Sequence, residues 1–414
     1  MNAPPLARTR RWKFHGPILA LIAGAAVGLA HPPFGFLPGL LGLGALLWLI
    51  DNADAARPFR SAFLRGWLAG FAYFLVGTWW VGEAFFVDAA AHGWQAPFAV
   101  TLLPAGLGLF WGAAAACYRR IAPPGATRAL VFAAVLALAE WLRGHVLSGF
   151  PWDLIGEAWR AGSAPSQGAA VVGAYGMTFV TIAIMSAPGV AISARPKVRA
   201  WTLGLAVLAL AALWGGGALR LAAARPDTPG LRVRVVQANI PQADKWTAEA
   251  FQDIFNRHIR LTAAPAADGH LPEVVIWPEA AIPTSAAELL AAGSWTRAGV
   301  LDALRPGQVL MFGTVRVLGP IDRPIYYNSL LALRRTPEGL APLGLYDKHR
   351  LVPFGEYLPL ERWLTPLGLK KLAAVGDGFT AGPPPQPLKL DGLGIVQPLI
   401  CYESLFPGFS RPGG

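Results

Sequence analysis

The first half of the chain is a succession of long apolar runs, and the second half breaks into short ones. A helix that crosses a bilayer needs roughly 20 mostly apolar residues, because the hydrocarbon core is about 30 Å thick and each residue rises about 1.5 Å. Runs of this kind fall at about 14–30, 34–50, 63–82, 97–118, 127–147, 171–194 and 200–220. The first two are short and are separated only by His31-Pro32-Pro33. They read either as a re-entrant pair or as a retained signal anchor followed by one span. Near residue 226 the pattern changes: charges and prolines become frequent, and short strand-like runs alternate with helical ones. We therefore expect about seven membrane helices in residues 1–226 and a soluble part in 227–414. The stretch Arg225-Pro226-Asp227-Thr228-Pro229-Gly230 suits a linker.

In the soluble part, residues 231–240 alternate arginine with valine and end in a polar cluster, which suits a strand leading into a loop. Further strands are expected at 273–277, 308–317, 325–334, 342–347 and 394–400, the last ending at Cys401. Helical patterns lie between them, notably at 247–264 and 285–304. This alternation predicts a layered α/β domain.

Composition sharpens the division. The 414 residues are 54% hydrophobic and 14% charged, where soluble domains carry about 25% charged residues. Sixteen Trp and twenty-one Phe exclude a solvated coil, and two Cys exclude a disulfide framework. The net charge of +11 raises the question of nucleic acid, and the position of the basic residues answers it. With the N-terminus in the cytoplasm, cytoplasmic segments hold Arg8, Arg10, Arg11, Lys13, Arg57, Arg60, Arg65, Arg119, Arg120, Arg128, Arg195, Lys197 and Arg199. The opposite loops before the seventh span hold only Arg143 and Arg160. Such asymmetry reads as membrane topology. It puts the soluble part outside the cytoplasm and leaves no case for nucleic acid.

Small residues such as Gly66 and Gly70 suit close helix packing. Glu140 and Arg143, spaced i, i+3 near a span end, either pair with each other or line a substrate groove. Trp79, Trp80, Trp94, Trp152 and Trp159, at span ends, suit an interfacial belt or plain packing. Three residues at expected strand ends suggest chemistry: Glu279 after Trp277-Pro278, Lys348 in Tyr346-Asp347-Lys348-His349-Arg350, and Cys401 before Tyr402-Glu403-Ser404. Strand termini are where α/β sheets collect functional groups. A thiol with a carboxylate as base and an ammonium to hold an oxyanion would run acyl transfer through a thioester. On spacing alone the signal is weak: Cys401 reads first as a small buried apolar residue at a strand end, and Glu279 and Lys348 as surface charges. The seven His are scattered without ligand spacing, and Gly215-Gly216-Gly217 lies inside an apolar run, so neither a metal nor a nucleotide cofactor is implied. His349 reads as a loop residue rather than a base.

The blocks WPEAAIP (277–283), YDKHRLVPFGEYLP (346–359) and CYESLFP (401–407) resemble the catalytic blocks of the carbon–nitrogen hydrolase (nitrilase) superfamily. With QANIPQADKW (237–246), EWLRGHVLSGFPW (140–152) and the multi-span first half, the chain resembles that superfamily's membrane-embedded apolipoprotein N-acyltransferase family over nearly its whole length. The resemblance implies a polytopic α-helical membrane domain followed by an αββα nitrilase-like domain. It implies Cys401 as nucleophile, Glu279 as general base, Lys348 as oxyanion and thiolate stabiliser, and Glu356 as an accessory glutamate. Tyr402 and Glu403 would flank the nucleophile. Trp246 would sit on a loop over the site, and Asn328 would be a polar residue near it. The donor would be a phospholipid, typically phosphatidylethanolamine, and the acceptor the α-amino group of a diacylglyceryl-cysteine on an apolipoprotein. Both lie in the inner membrane, with the catalytic domain on the periplasmic side. The family continues past its cysteine with more of the hydrolase domain and a final span, whereas thirteen residues follow Cys401 here. An incomplete hydrolase domain is therefore expected. This leaves two other readings in view: a membrane-tethered amidase or nitrilase, and a non-catalytic lipid- or lipoprotein-binding membrane protein.

Overall fold

A computed structural model describes residues 12–86, 89–224, 230–241, 245–266, 269–357 and 378–409. The chain divides into two compact units, Met1–Arg225 and Pro226–Gly414. The basic start of the first apolar run, including Arg8, Arg10 and Arg11, lies outside the described residues.

The first unit is helical. Its elements are α1 (Trp12–Gly28), α2 (Gly42–Asp51), α3 (Pro58–Thr78), the four-residue α4 (Ala89–His92), α5 (Ala96–Ile121), α6 (Thr127–Arg143), α7 (Ala169–Ser193) and α8 (Pro196–Ala223). Each of the seven apolar runs overlaps one of these helices. Three helical stretches are long and apolar enough to cross a membrane: Gly93–Ile121, Pro165–Ser193 and Pro196–Ala223. His15–Gly28 and Leu37–Asp51 are shorter apolar helices. Where helices meet, glycine lets the backbones touch. A Cβ on Gly24 of α1 would fall 1.9 Å from the Ala69 carbonyl oxygen of α3, and one on Gly66 would fall 2.5 Å from the Trp111 carbonyl oxygen of α5. Gly70 packs in the same way on Gly108, so this row of small residues is an α1–α3–α5 seam.

Of the two readings of Glu140 and Arg143, the geometry supports the pair. Both are fully buried and joined carboxylate to guanidinium. Trp111 Nε1 donates to Glu140 at 2.7 Å. Arg143 donates onward to the carbonyl oxygens of Phe150 and, at 2.9 Å, Trp152, which fastens the segment after α6 to its own helix. Trp79, Trp80 and Trp94 are exposed. Of the two readings of Trp159, packing holds: it is buried and donates to Thr181 at 2.9 Å, so it is a core residue.

The second unit is built on a five-stranded sheet in the order β1-β2-β3-β4-β5. These are β1 (Val233–Val235), β2 (Val274–Trp277), β3 (Val309–Leu318), β4 (Ile325–Thr336) and β5 (Gly339–Asp347). The first three strands are parallel, and β4 and β5 continue as an antiparallel meander. Alternation along the strands gives two apolar faces. Val275, Trp277, Leu310, Phe312 and Leu333 pack with α9 (Phe251–Ala263) and α11 (Trp295–Ala303). Val274, Val309, Met311 and Ala332 pack with Leu390 of a hairpin formed by β6 (Leu388–Leu390) and β7 (Gly394–Val396). Two expectations change here. The helical pattern at 285–304 divides into α10 (Ala286–Leu289) and α11, because Gly293 between them takes φ +79°. The run 394–400 keeps ladder pairing only over Gly394–Val396. Cys401 consequently opens a short 3-10 helix, Cys401–Leu405, and does not end a strand.

Candidate functional site

Glu279 lies just past the C-terminal end of β2. The strand is fixed by Trp277, which is buried, meets Phe312 edge to face and donates to Thr262 at 2.8 Å. Gly313 of the neighbouring β3 explains how the next turn fits. A Cβ there would lie 2.5 Å from Glu279 Cα and 2.8 Å from the Pro278 carbonyl oxygen, so only glycine lets the turn press against the strand. Ala280 then takes φ +45°.

Lys348 follows β5. Its amide donates to the Asn328 carbonyl oxygen at 2.8 Å, and its carbonyl accepts from Gly382 at 2.8 Å. The preceding Asp347 is locked by Arg316, with Nη2 to Oδ2 at 2.5 Å, and by the Ser329 hydroxyl, also at 2.5 Å. These ties hold the Lys348 side chain, which is 1% exposed, between two carboxylates. Its Nζ donates to Glu356 Oε1 at 2.9 Å and to Glu279 Oε1 at 3.5 Å. Asn328, buried on β4, uses one amide nitrogen for both acids: 2.6 Å to Glu279 Oε1 and 3.0 Å to Glu356 Oε1. The Val352 amide holds the other Glu356 oxygen at 2.8 Å. Burial opposes the charge on Lys348, but Glu279 and Glu356 outweigh it and keep the ammonium above the usual lysine range.

Cys401 is exposed and takes φ +48°, left-handed backbone that a non-glycine residue adopts at a cost of about 1–3 kcal/mol. Its thiol lies close enough to Glu279 and Lys348 to feel both charges. Burial pushes the thiol pKa up and Glu279 adds to the rise, while Lys348 pulls against it; the net shift is upward.

Glu403 is fully buried and does something that residue order alone does not reveal. Its Oε1 accepts from the Tyr346 hydroxyl at 2.6 Å and from the amides of His349 and Arg350 at 2.8 and 3.0 Å. Its Oε2 accepts from the Ile400 amide at 2.9 Å. One carboxylate thus ties the Lys348 loop to the turn carrying Cys401. Tyr402 is buried edge-on to Phe406. His349 Nδ1 lies 2.8 Å from the Gly382 carbonyl oxygen and the ring stacks on Phe409, as fits a loop residue.

The structure therefore brings Glu279, Lys348, Glu356, Asn328 and Cys401 together, with Tyr402 and Glu403 directly after Cys401. Trp246 is half-exposed on the loop after β1, its ring 6.0 Å from Lys245 Nζ. Lys245 itself, not singled out by sequence reasoning, reaches the Glu279 carbonyl oxygen at 3.4 Å. Nothing but its place beside Trp246 would have drawn attention to it. Among the described residues no group of three or more His, Cys, Asp or Glu is arranged to hold a metal ion.

Comparison with known proteins agrees with this architecture. Residues 23–187 match the family described as the Apolipoprotein N-acyltransferase N-terminal domain, and residues 232–412 match Carbon-nitrogen hydrolase. The Apolipoprotein N-acyltransferase of Caulobacter vibrioides is 57% identical over 407 residues, which is 98% of this chain and 76% of the relative. That of Rhizobium leguminosarum bv. trifolii is 40% identical over 96% of this chain and 76% of its own length. That of Brucella melitensis is 41% identical over 94% and 74% respectively. With its apolar helices, the chain is a membrane protein joined to a nitrilase-like domain, and it belongs to the apolipoprotein N-acyltransferase family.

Proposed function

We propose that this chain transfers a fatty acyl group from a phospholipid to the α-amino group of a diacylglyceryl-cysteine, through a thioester on Cys401. Residues 1–226 form the membrane domain and 227–414 the catalytic one. Phosphatidylethanolamine is the donor. The protein lies in the inner membrane with the catalytic domain on the periplasmic side, the orientation that the basic asymmetry of the loops favours.

The observation that carries this reading is the arrangement around Glu279: the Lys348 ammonium and the Asn328 amide both meet its carboxylate, and the Cys401 thiol lies within reach of its charge. In the first half-reaction Glu279 takes the Cys401 proton as the sulfur attacks the donor's ester carbonyl. The oxyanion that forms meets the Lys348 ammonium, which has a third N–H beyond the two given to carboxylates. Collapse breaks the ester C–O bond, and Glu279 returns the proton to the lysophospholipid oxygen. In the second half-reaction the acceptor amine attacks the thioester, Glu279 receives the amine's proton, and the sulfur leaves with it restored as thiol. Glu356 and Asn328 fix where the ammonium and the base point.

Incubating full-length protein with labelled phosphatidylethanolamine should give a hydroxylamine-sensitive acyl adduct in intact-mass spectra, absent in Cys401→Ala. Adding a diacylglyceryl peptide should move the label to the peptide's amine. Release of free fatty acid alone would favour a hydrolase, and no adduct on wild type would favour a lipid-binding protein.

A further inference from the structure

Resting on the acyltransferase reading, we infer that Lys245 is the contact for the donor's phosphodiester. It would make the enzyme selective for phospholipids over neutral esters.

The argument begins with charge at the site. Glu279 and Glu356 supply two negative charges and Lys348 one positive, so this trio repels an anion. A phospholipid cannot bring its ester carbonyl to Cys401 without bringing its phosphate, which hangs on the same glycerol a few bonds away. Lys348 cannot serve it, being buried between two carboxylates. Arg316 is committed to Asp347 and packs on the Tyr327 ring. The Arg350 guanidinium lies 4.8 Å over Phe406.

Lys245 differs from all three. Its ammonium is held by a neutral carbonyl, Glu279 O at 3.4 Å, and by the Trp246 ring. No carboxylate is in ion-pair contact with it among the described residues. Of its three N–H groups, only one is given to a hydrogen bond among the described residues. The residue is half-buried, and burial lowers its pKa while the nearby Glu279 charge pulls the other way. An ammonium that has already lost part of its hydration gives more to an incoming phosphate than a solvated surface lysine would. Its anchor is the backbone of the catalytic base itself, so a phosphate bound there is registered against the reacting atoms. The acceptor diacylglyceryl peptide needs no phosphate, which confines the effect to the first half-reaction.

The test compares wild type, Lys245→Met and Lys245→Arg with two donors, a phospholipid and an uncharged p-nitrophenyl ester of the same acyl chain. With the phospholipid, Lys245→Met should lose roughly 10- to 100-fold in kcat/KM for acylation, the effect of one charged hydrogen bond. Lys245→Arg should recover most of it. With the neutral ester, all three proteins should acylate at the same rate, which also shows that the variants are folded. Transfer from preformed acyl-enzyme to the peptide should not change. Equal loss with both donors, or no loss with the phospholipid, overturns the assignment. If wild type forms no adduct with either donor, the acyltransferase reading fails first, and visibly for that separate reason.

Discussion

Cys401 rests as a thiol, not as a thiolate held ready. Burial and the Glu279 carboxylate both favour the protonated sulfur, and the Lys348 ammonium offsets them only in part. In the proposed mechanism deprotonation is therefore coupled to attack, with Glu279 as the group that takes the proton. Since only the thiolate reacts with iodoacetamide, alkylation of Cys401 should reach half its maximum rate above the ordinary thiol pKa of about 8.5. Removing the negative neighbour in Glu279→Gln should shift that midpoint to lower pH. Removing the positive one in Lys348→Met should shift it higher. Peptide mapping separates Cys401 from the second thiol, Cys117, which is also exposed. A midpoint unmoved by either substitution would mean that the sulfur does not sense these two charges.

At the scale of elements, the site depends on two loops sharing one buried acid. Glu403 satisfies four donors from Tyr346, His349, Arg350 and Ile400. Glu403→Ala leaves these groups without an acceptor and should cost about 3 kcal/mol of stability, seen in thermal or urea unfolding. Acyl-adduct formation should fall with it, because the loops carrying Lys348 and Cys401 lose their common tie. The sequence made part of this legible. The acid, the amine and the thiol stand in short blocks at the ends of β-rich runs, and the apolar, β-branched and aromatic runs of 308–317 and 325–334 marked β3 and β4 closely. The Glu403 tie was not legible, because its donors come from two segments some fifty residues apart. β6 and the early end of β7 were missed for a similar reason: these strands pair only with each other over three residues, too short for a period to register. Lys245 carries no pattern at all, since a single ammonium gains meaning only from the carbonyl it finds.

At the scale of the whole molecule, the helical unit combines glycine seams with one buried ion pair. Glu140 and Arg143 are both withdrawn from solvent. Removing one partner strands the other charge, so Glu140→Ala should lose about 3–5 kcal/mol, whereas the double variant Glu140→Met, Arg143→Met should lose less. Thermal melts of the full chain in detergent compare the two, and a double variant worse than the single would assign the stability to the Arg143 bonds with Phe150 and Trp152. The same withdrawal accounts for an ambiguity in the sequence: two ionisable residues one turn apart read alike whether they face each other or a groove.

The last helix of this unit behaves differently from its neighbours. Within α8 only Thr202 and Gly217 are buried, and a Cβ on Gly217 would fall 1.7 Å from the Ala164 carbonyl oxygen. Trp201, Leu205, Val207, Leu208 and Leu219 all face outward. With 28 residues, α8 is about 42 Å long at about 1.5 Å per residue, but its uncharged stretch between Arg199 and Arg220 measures about 30 Å, the thickness of a hydrocarbon layer. A rod so matched and so sparsely gripped by its own unit keeps its apolar flank in lipid without needing to lean. Arg199 at one end and Arg220 at the other then serve as its moorings at the two faces of the lipid.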